Sequence, residues 1–465
     1  MKTHLFRSNK IHFTSLGCSR NLVDTEVMLG IVLKAGYEPT PDLENADFYV
    51  INTCGFLESA RQEAIDTIAS LFETKKPTAK VIVTGCMVQS HRDILKEKFP
   101  EIHYYLGSGD VENILEALKS EEAKDGTTEA KSYLQQGEIP RLLSTPKHYA
   151  YLKIAEGCKK RCAFCIIPMI KGGLKSKTID QVKKEFKALL SQGVKEIILI
   201  AQDLGDFGKD RHESDELPKL LKELTSFEGD YWIRLLYLYP DEITDELIEV
   251  MKSDKRILPY LDMPLQHIND RVLKSMHRKT NRAQIVSIIE KLRKELPQVV
   301  IRTSLMVGFP GETEEEFQEL KKFIIDYPLD NIGIFQYSKE KESYSATLPN
   351  HIDESTKKRR FEELAQTQQE VLKKQLRRFL NQKLEVVIEG THPESNYLLI
   401  GRFYGQCPEI DGYVVINDWK NVKSAGERVM VEITDVMGYD LIGRMVSSQP
   451  SNIKKSISSN KLSLV

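Results

Sequence analysis

The sequence lacks an apolar run near its start that could serve as a signal core or membrane span: Met1-Lys2-Thr3-His4-Leu5-Phe6-Arg7 leads into a mixed segment. It carries little net charge, −2 over 465 residues, which argues against a generally basic nucleic-acid binder while leaving local patches open. It has few cysteines, seven, too few for a disulfide scaffold at this length. These absences predict a cytoplasmic protein with no membrane partner, whose cysteines are buried, reactive or metal-bound. What is present is ordinary: 41% hydrophobic and 29% charged residues, enough for several cores and, by length, two to four domains.

Three segments emerge. From about residue 8 to 125, apolar β-type runs (Ile11 to Leu16, Phe48 to Ile51, Val81 to Thr84) alternate with helical patterns. Such alternation predicts an open parallel α/β sheet. A polar stretch, Ser120 to Gln136, reads as a linker or loose insertion. From about 145 to 378, six strand candidates begin at Ala150, Glu196, Trp232, Leu258, Val299 and Asn331, separated by helical stretches. Repeated βα units of that number predict a partial, open (β/α)6 barrel. A charged helix, Glu354 to Phe379, closes this segment, and its Lys357-Lys358-Arg359-Arg360 run reads as a solvated face. From about 380 to 446, five short alternating strands between turn signals predict a small antiparallel β-barrel of the OB type. Residues 447–465 are rich in Ser, Asn and Lys and read as a disordered tail.

Cys158, Cys162 and Cys165 have the spacing C-x3-C-x2-C. Three thiolates this close form one soft-ligand site, suited to zinc or to iron–sulfur. Structural zinc would want a fourth protein ligand, and no Cys or His occurs in the next twenty residues. A 4Fe–4S cluster held by three cysteines leaves one iron open for a substrate. The triad follows the first barrel strand, on the face where βα barrels carry their chemistry; a zinc knot is the competing reading. Cys18, Cys54 and Cys86 are far apart in sequence, yet each falls just past the C-terminal end of a predicted strand with glycine beside it. Neighbouring parallel strands bring such ends together, so the three are read as a second cluster site. The alternative is three unrelated buried thiols. Cys407 stands apart from both sets and is read as structural.

The chain resembles the radical S-adenosylmethionine (SAM) methylthiotransferase family over nearly its whole length. The resemblance rests on Ser15-Leu16-Gly17-Cys18, Asn52-Thr53-Cys54-Gly55, Cys165-Ile166-Ile167-Pro168 and Val307-Gly308-Phe309-Pro310-Gly311-Glu312-Thr313, with Phe164 before the last cysteine of the triad. It implies an N-terminal cluster domain, a radical SAM core and a TRAM domain, two 4Fe–4S clusters, SAM, and an electron donor such as flavodoxin or ferredoxin. It implies that one SAM methylates sulfur at the auxiliary cluster. A second yields the deoxyadenosyl radical that opens an unactivated C–H bond, which no side-chain base could deprotonate. Phe164, Gln202, Asp203, Arg234 and Gly308, at or near the barrel strand ends, are candidates for the SAM site, with simple barrel packing as the alternative. The stretch after Cys165 has Lys171, Lys175 and Lys177 where the family usually has arginines; lysine keeps the charge and loses the bidentate fork.

Two branches of the family differ in substrate. One methylthiolates an adenosine in transfer RNA; the other the β-carbon of an aspartate in small-subunit ribosomal protein 12. Cys18-Ser19-Arg20-Asn21-Leu22-Val23-Asp24-Thr25-Glu26 and Met263-Pro264-Leu265-Gln266-His267-Ile268-Asn269-Asp270-Arg271 look like the ribosomal-protein branch. Charge points the same way. Between Asn381 and Val446 there are six Lys/Arg against ten Asp/Glu. An RNA-gripping domain should be basic, whereas an acidic one suits a basic protein partner. A non-enzymatic iron–sulfur or RNA-binding scaffold is a third reading, and SAM cleavage by the reduced protein separates it from the other two.

Overall fold

The structure, a computed structural model, describes residues 9–134 and 140–446, which divide into two compact units, one ending at Gln375 and the other starting at Leu376. The tail expected at 447–465 lies outside the described residues. Among those residues, no helix is long and apolar enough to cross a membrane.

The first unit opens with a parallel sheet in which Lys10–Ser15, Phe48–Thr53, Lys80–Gly85 and Tyr104–Leu106 lie side by side, with Glu38–Pro39 and Lys124–Asp125 at the edges. Side chains alternate between faces with period two. Ile11, Val50 and Ile82 enter one core, and Tyr49, Ile51, Val81 and Val83 enter the other. Helices on both faces explain the unbroken apolar runs Tyr49-Val50-Ile51 and Val81-Ile82-Val83 in the two central strands.

The described part of the polar stretch, Ser120 to Leu134, is not loose. Lys124–Asp125 extends the sheet edge, and Asp110 accepts the Thr128 amide at 2.9 Å and its hydroxyl at 2.6 Å. Tyr133 and Leu134 are buried. Composition hides this because a few contacts anchor an otherwise polar segment.

Six parallel strands follow in one open sheet: Tyr149–Lys153, Glu196–Ile200, Trp232–Leu235, Ile257–Asp262, Val300–Val307 and Asn331–Gln336. Ala150, Leu152, Ile197, Leu199, Ile233 and Leu235 face outward into the core shared with the helices. Three of those helices start at capping boxes built on Thr178, Asn281 and Thr313, each satisfying two otherwise unpaired backbone amides. The closing helix, Glu354–Leu376, departs from the solvated-face reading. Lys358 and Arg359 are exposed, but Lys357 and Arg360 are buried, and Arg360 pairs with Glu312 at 3.1 Å. Four consecutive residues cover more than one helical turn, so some of them face inward.

The second unit is a closed five-stranded barrel of Lys383–His392, Ser395–Arg402, Val414–Asp418, Arg428–Met437 and Asp440–Met445. One pair, Val414–Asp418 with Asp440–Met445, is parallel rather than antiparallel. Cys407 is fully buried in this unit.

Candidate functional site

Strand register brings Cys18, Cys54 and Cys86 to one edge. Ser15 lies opposite Asn52, and Asn52 opposite Thr84, so the three neighbouring strands end level. Cys18 then caps the helix Ser19–Lys34, and Cys86 opens the helix Cys86–Lys98. Both thiols therefore sit at helix N-termini, where the backbone dipole favours negative charge. Gly17 has φ +90°, and a Cβ there would lie 2.6 Å from Cys54 Cβ. Only glycine allows that close approach.

Asn21, one turn after Cys18, clasps the three loops. Its amide nitrogen donates to Leu16 O at 3.1 Å and Thr53 O at 3.0 Å, while the Cys86 thiol donates to its Oδ1 at 3.5 Å. Asn52 in turn donates to Asn21 O at 2.8 Å.

The second triad rides on the loop after the first barrel strand. Cys158 N donates to Gly172 O at 3.2 Å. The Lys160 and Ile167 amides point at Cys158 Sγ and Cys165 Sγ, each at 3.4 Å. Cys162 Sγ lies 3.2 Å from Tyr239 Oη and 3.7 Å from an Arg278 nitrogen, with that guanidinium stacked 3.9 Å over the Tyr239 ring.

Zinc at about 2.3 Å from each sulfur would hold tetrahedral thiolates about 3.8 Å apart. Neither triad brings its three sulfurs within 4.8 Å of one another; among the described residues that closeness belongs to the carboxylates Asp203, Asp206 and Glu242. A cubane places each cysteine on its own iron and so needs a wider spread, and amide donors to sulfur are the usual surroundings of such a cluster. The residues present fit a 4Fe–4S cluster at each triad better than a single ion.

Burial pushes the Cys86 thiol up to about 12, Cys158 to about 11 and Cys165 to about 12, and it raises Cys54. Burial also opposes ionisation of Cys18, but the Arg20 cation and nearby amide hydrogen bonds outweigh it, and that thiol falls below its usual value. The raised thiols, Cys54, Cys86, Cys158 and Cys165, are uncharged until a metal displaces their protons.

The two triads are parts of one construction. Cys86 packs with Ile166, which directly follows Cys165, and with Ile170, one helical turn further on. Arg20 donates to Ala201 O at 3.0 Å, at the end of the second barrel strand, and stacks 4.6 Å over the Tyr237 ring. Beneath them is a buried ion network. Asp24 accepts from Lys153, from Lys171 at 3.0 Å and from Tyr133 at 2.8 Å; Glu156 accepts from Lys153 at 3.1 Å and Lys171 at 3.0 Å.

The other sequence-derived candidates are scattered around the barrel. Phe164 packs with Ala163, Val272 and Phe309. Arg234 is fully buried, paired with Glu196 at 2.6 Å and stacked on Tyr260. Asp203 binds Lys160 and accepts from Gly205 N at 3.0 Å; burial raises its carboxyl to about 6 against the pull of Lys160. Gln202 has a buried side-chain oxygen with no hydrogen-bond partner. Gly308, at φ +76°, faces Lys357, whose Cγ would lie 2.4 Å from an added Cβ.

Comparison with known proteins gives matches to the Uncharacterized protein family UPF0004 over residues 10–107, the radical SAM superfamily over 152–324 and the TRAM domain over 382–446. Over 440 residues the chain is 60% identical to the ribosomal protein uS12 methylthiotransferase RimO of Protochlamydia amoebophila, covering 94% of this chain and 93% of that one. The chain belongs to the RimO-like family of radical SAM methylthiotransferases. A relative of the same name from Bdellovibrio bacteriovorus is 45% identical, over 96% of this chain and 99% of its own. Among solved structures, the radical SAM methyltransferase TsrM of Kitasatospora setae shares the fold, with TM-score 0.53 and 13% identity over 73% of this chain and 74% of that one.

In this RimO-like chain several residues at the site escaped sequence reasoning. Arg20 carried a signal, two positions after Cys18. Asp24 carried a weaker one, a carboxylate on the buried side of a helix. Tyr237, Tyr239 and Arg278 gave none, because only the loops beyond the barrel strands bring them to the cysteines.

Proposed function

We propose that the protein transfers a methylthio group to the β-carbon of an aspartate in ribosomal protein uS12. The observation that carries this is the pair of cysteine triads at the strand ends of two parallel sheets, joined through Arg20 and the Asp24 network within one compact unit. Its cofactors are two 4Fe–4S clusters and SAM; when bound, they supply the radical that removes the substrate hydrogen and the sulfur that replaces it.

The chain's own part is to hold and orient. Cys158, Cys162 and Cys165 ligate one cluster, and Cys18, Cys54 and Cys86 the other. Arg20 neutralises charge between them while anchoring the auxiliary loop to the barrel. Gln202, Asp203, Arg234, Phe164 and Gly308 serve the SAM side, a role supported for Gln202 by its unmatched buried oxygen. The C-terminal barrel, with its excess of acids, receives the basic target; an acidic surface gains nothing from RNA phosphates, which disfavours transfer RNA. A flavodoxin- or ferredoxin-type carrier supplies electrons. Mass spectrometry of uS12 and of transfer RNA, from cells with and without the gene, tests the reading. A methylthio group lost from uS12 supports it; one lost from transfer RNA alone refutes it.

A further inference from the structure

The radical triad borders a cavity of about 490 Å3 that Cys162 helps to line. Its wall at that sulfur is Tyr239 and Arg278. The acids inside are already compensated: Lys160 meets Glu242 at 3.0 Å, and Lys209 meets Asp206 at 3.2 Å. At the mouth stand Lys159, Arg161 and Lys279, all exposed, with exposed His277 beside them and Asp241 as the exposed acid. Among the described residues, none of the three cations is paired with a carboxylate. In a chain of net charge −2 this is a local reversal of sign, placed over a cluster cysteine.

We propose that this basic mouth is the docking surface for an acidic electron-carrier protein, which delivers electrons on the Cys162 side. The proposal rests on the radical reading of the site. The step moves one electron and nothing else: the carrier's reduced flavin or iron–sulfur centre is oxidised by one electron, and the group held by the triad is reduced by one. A carrier must bring its redox centre close to the group it reduces, and the cavity opens the protein surface at a ligand sulfur. Unpaired cations around that opening steer an acidic partner and raise its rate of encounter. A nucleic-acid backbone, an extended polyanion, fits a small concave mouth less well than a compact acidic protein.

The test uses the iron-loaded full chain, a reduced flavodoxin as the acidic carrier, and dithionite as a small chemical reductant. The triple reversal Lys159→Glu, Arg161→Glu, Lys279→Glu should weaken flavodoxin binding and slow flavodoxin-driven cluster reduction by about tenfold or more at low salt. Dithionite-driven SAM cleavage should change by less than about twofold, because the reversed side chains are exposed and a small reductant needs no docking surface. Wild-type binding should itself weaken with added salt. Unchanged flavodoxin binding in the reversal overturns the proposal. So does a loss of affinity for an RNA oligonucleotide with flavodoxin binding intact. If the triple variant fails to load iron, Lys279→Glu alone, outside the cysteine loop, is read in its place. Absence of SAM cleavage by the wild type under dithionite would strike the proposed function, while the flavodoxin dissociation constants still decide the docking claim.

Discussion

Replacing Asp24 by Asn should be among the most damaging single changes outside the cysteines. Asp24 is 2% exposed and receives two lysines, Lys153 and Lys171, themselves 0% and 3% exposed. With Glu156 the group holds two acids against two lysines, a neutral set sealed from water. Burial opposes the Asp24 charge, but the two lysines win and hold its carboxyl below the usual range. Asn keeps the shape and removes the charge, leaving one buried cation uncompensated. Breaking a buried pair from one side costs about 3–5 kcal/mol, a large share of a typical stability of about 5–15 kcal/mol. Urea unfolding followed by circular dichroism reads the loss. The control is Asp24→Asn with Lys171→Met, which removes one charge of each sign and restores neutrality. The double variant should recover at least about 1 kcal/mol over the sum of the single losses. A loss below about 1 kcal/mol for Asp24→Asn, or strict additivity in the double variant, would refute the idea that charge balance locks the two sheets together.

Replacing Cys158, Cys162 and Cys165 by Ala should leave about four irons per chain and abolish deoxyadenosine formation, whereas the Cys18, Cys54, Cys86 triple should also leave about four irons yet still form deoxyadenosine; iron assay and chromatography check both. Reversing Glu394, Glu409 and Asp418, exposed acids of the C-terminal barrel, to Lys should lower the association rate for uS12 at low salt and lift weak RNA binding, measured by stopped-flow and filter binding. Asp411 is unsuited to that test, because its carboxylate accepts the Cys407 amide at 2.8 Å. Asp203, raised to about 6 by burial, keeps a proton in the folded chain that the unfolded chain loses near pH 4. Its contribution to stability therefore falls as pH rises from about 4 to about 6 and is level above, and Asp203→Asn should flatten that part of the urea-midpoint profile.

The two cysteine groupings drew on the sequence for different reasons. The C-x3-C-x2-C spacing is local, and three soft ligands in eight residues cannot be spread apart. Cys18, Cys54 and Cys86 could be placed at one sheet edge only through the strand ends, because parallel register is fixed by apolar runs such as Val81-Ile82-Val83, buried on both faces. The six barrel strands and five C-terminal strands were likewise set by local pattern, with ends shifted by a few residues.

Other features lay beyond the sequence. The polar stretch after Ser120 hid a sheet edge and a buried tyrosine. The Lys357-Lys358-Arg359-Arg360 run split between water and core, because which side of a helix faces inward depends on what packs there. Sequence alone thus determined which residues could ligate and which strands would carry them, since soft-ligand chemistry and strand pattern are properties of a few neighbouring residues. Only the tertiary structure decided that Arg20 reaches the barrel, that Tyr239 and Arg278 wall Cys162, and that Asp24 faces Lys171. Those pairs are separated by many residues along the chain, and their meeting depends on how two sheets dock rather than on any local preference.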